Sequence, residues 1–273
     1  MKNSLGKMLA AAVLLVFILP LAAEKPKIRF VTNVEHWLGL RNVLEPGDMV
    51  VSLAAVRQPQ GAFGPERGTP PWRENQLGRE MFALDRVDRE GIVKGIVFFG
   101  LEDFQRNFSR IPRSVSWIFF RTSEGATPLA DRTRLRYSVE QFARAAHAGG
   151  WKVMWLPDEE MIGRSSGELL RLAQFVDGLQ ISLPALAGNR NSLAFAREAR
   201  RRIDLVHRFN SHCQVALEIG PEILANEPMV RALLDLAEHV DVVSFWAVAD
   251  GNSALRLIHR LRGGDSWSGR FSQ

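Results

Sequence analysis

The chain has 273 residues, of which 46% are hydrophobic and 24% charged, with 22 glycines, one cysteine and a formal net charge of +5. This composition excludes a disordered tail, which has few apolar residues, a collagen, which is about one-third glycine, and a cysteine-rich disulfide scaffold. It is typical of a globular chain long enough to bury a sizeable core.

The first 23 residues have the layout of a secretory signal peptide. Lys2 and Lys7 form a positive head, an unbroken apolar run extends from Met8 to Leu19, and small residues follow up to Ala23. The apolar run is too short to span a bilayer as a helix. We therefore predict a secreted or periplasmic protein that is cleaved near Ala23. A leader that stays uncleaved and anchors the chain to a membrane is the alternative. Without the two lysines the formal net charge falls from +5 to +3.

The N-terminal half predicts four strands and one helix. A long loop rich in proline and glycine, Gln58 to Asn75, separates the second strand from the third, and Leu77 to Val87 predicts the helix. The predicted strands are Ile28 to Thr32, Met49 to Ala55, Gly95 to Phe99 and Ser116 to Arg121.

The C-terminal half alternates helices with short apolar strands. The predicted helices are Val139 to Ala148, Gly167 to Phe175, Ser192 to Phe209, Glu227 to Val240 and Ser253 to Leu261. The predicted strands are Trp151 to Leu156, Val176 to Leu183, Gln214 to Ile219 and Asp241 to Val248. Two of these strands begin alike, with Asp177 and Asp241 at positions 64 residues apart, which is about the length of two strand–helix units.

Eight strands in about 250 residues predict a (β/α)8 barrel with some N-terminal helices short or missing. We expect one domain, residues 24–265, followed by a tail, residues 266–273. An open doubly wound sheet is the competing architecture. No glycine-rich phosphate-binding fingerprint follows any predicted strand, which favours the barrel.

In such a barrel the functional residues lie at the carboxyl ends of the strands. Acidic, amide, hydroxyl, histidine and tryptophan side chains occupy these positions: Asn33, Glu35, His36, Glu102, Asp103, Glu124, Asp158, Glu159, Glu160, Gln180, Ser182, Glu218 and Trp246. Carboxylates and amides bond hydroxyl groups, and tryptophan faces stack on sugar rings. We therefore expect a glycan or another neutral small-molecule ligand, with Trp246, Gln180, His36 and Glu35 as binding residues.

Over most of residues 28–262 the layout resembles a glycoside-hydrolase-type barrel, and this resemblance is one of architecture rather than motif. The stretch VDGLQISLP, residues 176–184, resembles the chitinase-type strand D-G-x-D-x-D-x-E. Gln180, Ser182 and Pro184 stand where that family has its acids. The resemblance therefore implies either a different pair of carboxylates or a non-catalytic relative.

Glycoside hydrolysis needs two carboxyl groups, roughly 5–5.5 Å apart for retention of configuration and 6.5–9.5 Å for inversion. We predict Glu218, at the end of an apolar strand, as the general acid, and Glu124 or Asp158 as nucleophile or base. Each has a structural alternative: an ion pair for Glu218, a helix cap or turn for Asp158 and an exposed loop for Glu124. Trp246 is equally consistent with a core position.

Other classes of function have little support in the sequence. No H-x-x-x-H or H-E-x-x-H spacing occurs, so we expect no bound metal and no cofactor. The arginines between Arg197 and Arg202 lack interleaved aromatics, so we expect no nucleic-acid partner. Cys213 is expected to be a buried thiol. The sequence therefore predicts an exported glycoside-hydrolase-like protein that acts on a glycan by carboxylate acid–base chemistry. A non-catalytic barrel that binds a cell-wall or extracellular glycan is the alternative.

Overall fold

The computed structural model describes residues 28–53, 84–122, 132–157, 167, 169–245 and 251–262. In this part of the chain eight parallel strands form a closed barrel in sequence order. They are β1 (Arg29–Asn33), β2 (Met49–Leu53), β3 (Val93–Phe98), β4 (Val115–Arg121), β5 (Lys152–Leu156), β6 (Gly178–Ile181), β7 (Gln214–Glu218) and β8 (Val242–Ser244). The (β/α)8 prediction is confirmed, and the open-sheet alternative is wrong because β8 pairs with β1.

The described helices differ in length between the two halves. They are α1 (Trp37–Leu40), α2 (Leu101–Asn107), α3 (Arg132–Ala148), α4 (Pro184–Gly188), α5 (Ser192–Phe209), α6 (Pro221–Leu224), α7 (Glu227–Leu236) and α8 (Gly251–Leu261). Those that follow β1 and β3 are short, as predicted. The helix predicted over 167–175 ends instead in a 3₁₀ turn, Arg171–Phe175. None of the helices in the described ranges is long and apolar enough to cross a membrane.

Apolar side chains form two layers because neighbouring strand residues point to opposite faces of the sheet. The inner layer fills the barrel and consists of Val31, Met49, Val51, Val97, Trp117, Phe119, Met154, Leu156, Ala216 and Val242. The outer layer lies between the barrel and the helices and includes Phe30 and Trp155, both fully buried. The barrel is therefore a packed core, and ligands have access only to its ends.

Three aspartates, each directly before a strand, hold the amino-terminal end of the barrel together. The Asp48 carboxylate accepts a hydrogen bond from the backbone N–H of Phe30 at 2.9 Å. Asp177 accepts one from Val153 at 2.8 Å. Each aspartate thus bonds the strand that precedes its own in the barrel.

Asp241 repeats the arrangement, because its carboxylate accepts from the backbone N–H of Val215 at 2.8 Å. At Asp177 and at Asp241 a histidine from the preceding long helix also contacts the carboxylate. His147 Nε2 lies 2.7 Å from Asp177 Oδ2, and His207 Nε2 lies 3.6 Å from Asp241 Oδ2. The likeness of the two strand entrances in the sequence therefore corresponds to two structurally equivalent sites.

At the first site the cation is Arg262, which directly follows α8. Its Nη2 donates to the Asp48 carboxylate at 2.5 Å, and its Nη1 donates to the carbonyl oxygen of Val43. Its guanidinium also lies 4.8 Å from the centroid of the Phe30 ring. This contact joins the end of the last helix to the first two strands.

Candidate functional site

The carboxyl end of the barrel presents the last inward-facing residue of each strand. Trp117 and Ala216 belong to the inner layer, side chains alternate along a strand, and Gln180 is the register partner of Ala216. The same alternation therefore directs Arg121, Gln180 and Glu218 into the barrel mouth. With Asn33 of β1 and Ser244 of β8, the polar inward-facing ends of the described strands are Asn33, Arg121, Gln180, Glu218 and Ser244.

Glu218 and Gln180 form a hydrogen-bonded pair across two neighbouring strands. Gln180 Nε2 donates to Glu218 Oε2 at 3.1 Å. Gln180 is 7% exposed, whereas Glu218 is half-buried and so remains in reach of a ligand. Within the ranges that the structure describes, no lysine, arginine or histidine forms an ion pair with Glu218. The ion-pair alternative raised by the sequence therefore finds no support in that part of the chain.

Ser244 adds a hydroxyl group beside Glu218. The two residues are register partners on β8 and β7. Ser244 is fully buried, and its Oγ has no hydrogen-bond partner among the described residues. A buried hydroxyl without a partner is unusual in a native protein, and a ligand or a water molecule can satisfy it. Sequence reasoning missed this residue because a single serine in an apolar strand gives no signal of its own.

The residues after β1 form a tight turn at the edge of the mouth. Asn33 is 6% exposed, and its Oδ1 accepts from the backbone N–H of Glu35 at 3.1 Å, which caps the 3₁₀ turn Val34–His36. The cap explains why the strand stops here. The side chain of Glu35 is exposed and that of His36 is half-buried. Both predicted binding residues thus lie at the rim, farther out than Asn33.

Two other acidic residues predicted for the rim belong to the surface of α2. Glu102 pairs with Arg106 one turn later, and its side chain is 89% exposed. Asp103 Oδ1 accepts a hydrogen bond from Asn107 Nδ2 at 3.3 Å. The first turn of a helix favours acidic side chains, so these positions need no role in a site. Glu124, Asp158 and Trp246 lie outside the described residues.

Arg121 brings a positive charge to the described part of the mouth, and it was not among the residues predicted from the sequence. It ends β4, whose preceding inward-facing residues, Trp117 and Phe119, are buried in the inner layer. It is half-buried. The signal available in the sequence was an arginine at an inward-facing position at the end of an otherwise apolar strand. The described part of the mouth is therefore mixed in charge rather than acidic.

Metal binding has no support in the described residues, which contain no group of three or more histidine, cysteine, aspartate or glutamate side chains that could hold a metal ion. The chemistry that the described mouth offers is a carboxyl group beside an amide and a hydroxyl, with a guanidinium on β4. These groups can bind hydroxyls and oxyanions and can transfer one proton.

Comparison with known proteins identifies the fold. No protein-family model matches the chain, and no curated protein matches it significantly. Among solved structures, phospho-2-dehydro-3-deoxyheptonate aldolase from Thermotoga maritima is similar with a TM-score of 0.51 and 11% identity, over 87% of this chain and 69% of the aldolase. A glycoside hydrolase family 17 β-1,3-glucanosyltransferase from Rhizomucor miehei is similar with a TM-score of 0.50 and 13% identity, over 79% of this chain and 82% of the enzyme. The chain therefore has the (β/α)8 barrel fold, and its resemblance to glycoside hydrolases holds at the level of the fold.

Proposed function

We propose that this chain is a glycoside-hydrolase-like, carbohydrate-active protein that binds a glycan at the carboxyl end of its barrel, with Glu218 as the general acid. The observation that carries the proposal is the pair formed by Glu218 and Gln180 at the inward-facing ends of neighbouring strands. Active sites of (β/α)8 enzymes are built from such strand ends.

The geometry of the pair favours one oxygen of Glu218 as the site of a proton. Gln180 Nε2 donates to Oε2, and the carbonyl oxygen of a protonated carboxyl group is the better acceptor. In the protonated acid this contact therefore favours the hydrogen on Oε1. A general acid needs its proton on the oxygen that faces the leaving group. Gln180 is thus a positioning residue that would prepare Glu218 to protonate a glycosidic oxygen.

A complete hydrolysis also needs a second carboxyl group, and Glu124 and Asp158 remain our candidates. Both follow strands of the barrel in the sequence, and each is proposed as the nucleophile or base. Substituting each by its amide separates the two, because only the acting residue should abolish turnover.

The test of the proposal is Glu218→Gln, assayed on a panel of glycosides and polysaccharides. We expect a loss of at least a hundredfold in turnover, the usual scale for removing a general acid. Glu102→Gln is the matched control, because Glu102 is an exposed carboxylate near the start of α2, directly after β3. Equal activity of wild type and Glu218→Gln on an accepted substrate would remove Glu218 from the mechanism.

A non-catalytic glycan-binding barrel is the second candidate. Gln180 favours it, since an amide stands in the barrel mouth where the chitinase-type strand has an acid. On this alternative the wild-type chain retains glycans on an array and releases no product from any of them. If wild type releases product and Glu218→Gln does not, the chain is an enzyme and this alternative is excluded.

We also propose that the protein is exported and loses its leader near Ala23. The support is the positive head, the short apolar run and the small residues of the first 23 positions. N-terminal sequencing of the protein recovered outside the cytoplasm should begin at residue 24. A sequence that begins at Met1 on membrane-bound protein would instead establish the anchored alternative.

A further inference from the structure

Arg121 is a half-buried guanidinium in the barrel mouth, and no counter-charge for it lies among the described residues. The alternation along β4 directs it inward, and its register partner on β5 is Leu156, an apolar residue of the inner layer. No carboxylate in the described ranges forms an ion pair with it, and no aromatic ring there stacks on it. Its surroundings within the described barrel are therefore largely apolar.

Other arginines of the described structure show what such a group normally has. Arg262 is bonded to Asp48, Arg202 to Glu198, and Arg171 stacks on the ring of Phe209 at 5.5 Å. Removing part of the water around a charged group is costly unless an opposite charge or a set of hydrogen bonds replaces it. Arg121 lies where ligands of this fold bind, so a ligand can supply an anion that the described residues do not.

The distribution of charge within the mouth limits where the anionic group can sit. Glu218 on β7 would repel an anion, whereas Arg121 lies on β4, three strands away around the barrel. Among the described strand ends, an acidic ligand therefore fits with its anionic group at Arg121 itself and its hydroxyl groups toward Gln180 and Glu218.

We propose that Arg121 binds the carboxylate of an acidic sugar, so that the glycan recognised at this site contains uronic acid residues. The planar guanidinium matches a carboxylate through two parallel hydrogen bonds, a geometry that lysine cannot reproduce. This inference rests on the proposed function, and it replaces the neutral ligand expected from the sequence by an anionic one of the same class.

The experiment is a binding assay of the full chain on an array of oligosaccharides. The array carries oligomers of galacturonic, glucuronic and mannuronic acid, the methyl ester of each oligomer, neutral glycans and sulfated glycans. The variants are Arg121→Gln, Arg121→Lys and Glu218→Gln. Arg197→Gln is the matched control, because it removes the same charge from an exposed position on α5. Unfolding midpoints of all variants establish that each one is folded.

We expect the wild-type chain to bind at least one uronic acid oligomer. It should bind the methyl ester of that oligomer at least about tenfold more weakly, which is the scale of one charge-assisted hydrogen bond. Arg121→Gln should weaken binding of the acidic oligomer to the level of the ester. Arg121→Lys should recover only part of it, and Arg197→Gln should bind like wild type.

Other outcomes would overturn the inference in distinguishable ways. Binding confined to neutral glycans, or acidic binding unchanged in Arg121→Gln, removes the role of Arg121 and leaves the proposed function standing. Binding confined to sulfated glycans would mean that the anion bound by Arg121 is a sulfate group, and it would refute the proposal of a uronic acid. Binding to no glycan at all refutes both the inference and the function on which it rests.

Discussion

Replacing Asp48 by asparagine should destabilise the barrel more than an ordinary substitution, because Asp48 is 2% exposed and its carboxylate has three donors. Among its partners, these three are the backbone N–H groups of Phe30 at 2.9 Å and Glu45 at 2.6 Å, and Nη2 of Arg262 at 2.5 Å. Asparagine keeps the shape and one carbonyl oxygen, which can accept either from Phe30 or from Glu45 and Arg262, but not from all three. The amide group then faces the remaining donors, and Arg262 loses its buried counter-charge and keeps the longer contact with the Glu45 carboxylate at 3.6 Å.

Leaving one partner of a buried ion pair uncompensated costs about 3–5 kcal/mol. Because Glu45 still lies 3.6 Å from Arg262, we expect Asp48→Asn to lower the free energy of unfolding by about 3 kcal/mol, the lower end of that range. The assay is urea unfolding at pH 7, followed by tryptophan fluorescence and circular dichroism together. Arg262→Gln should cost less in the Asp48→Asn background than in wild type, because the two side chains contact each other.

Glu227→Gln provides the control. Glu227, at the start of α7, pairs with Arg260, near the end of α8, at 2.8 Å, but the Glu227 side chain is 52% exposed. Exposed pairs contribute little, so this variant should unfold close to wild type. A loss in Asp48→Asn no larger than in Glu227→Gln, or additive effects in the double variant, would refute the view that this buried contact holds the barrel closed.

Three further predictions concern titration and packing. The hydrogen bond from Arg201 and then that from Arg202, together outweighing the opposing effect of burial, lower the pKa of Glu198 from its ordinary 4.5 to about 2. Its contribution to stability is therefore present above pH 4.5 and is lost as the pH falls toward 2. In unfolding measured against pH, Glu198→Gln should lose less stability than wild type over that range. Burial, with the nearby negative charges of two aspartates, raises the pKa of the Cys213 thiol to about 12, so a thiol reagent at pH 8 should label the protein only after denaturation, and rapid labelling of native protein would contradict its burial. A Cβ at Gly95 would lie 2.7 Å from the Phe119 ring, so Gly95→Ala should cost about 1–3 kcal/mol in urea unfolding, and an unchanged midpoint would show that the inner layer can yield.

The fold could be predicted from the sequence because local patterns were consistent with one architecture. Apolar runs separated by amphipathic stretches predict parallel strands buried on both faces, and Asn191 caps the long helix α5 through its bond to the N–H of Ala194. Strand ends were less well predicted, since β8 stops at Ser244 although the apolar residue Phe245 follows and is itself fully buried. Burial sets the apolar pattern, whereas the strand boundary depends on the hydrogen-bond ladder with its neighbours.

The site could be predicted only in part, because the chain pattern at the strand ends pointed to Glu218 and Gln180 but gave no reason to select an arginine or a second serine. Glu218 and Gln180 were named from their places at strand ends, and the structure brings them into contact. Arg121 and Ser244 were not named, because the meaning of each depends on what surrounds it. A missing counter-charge and a missing hydrogen-bond partner are properties of three-dimensional surroundings, and no local pattern in the chain encodes them.

The aspartates at the amino-terminal end of the barrel affect the register in which neighbouring parallel strands pair. A strand that slips by two residues keeps its apolar side chains on the correct face, so the hydrophobic pattern alone does not forbid the slip. The carboxylate of Asp177 recognises one N–H, that of Val153, and Asp241 recognises that of Val215. A two-residue slip in one direction would present Trp151 or Cys213, whose N–H groups already donate to the carbonyl oxygens of Ala146 and Asn210. A slip in the other direction would leave the N–H groups of Val153 and Val215 without these acceptors. The native alignment of neighbouring strands is therefore favoured by contacts at the end opposite the mouth.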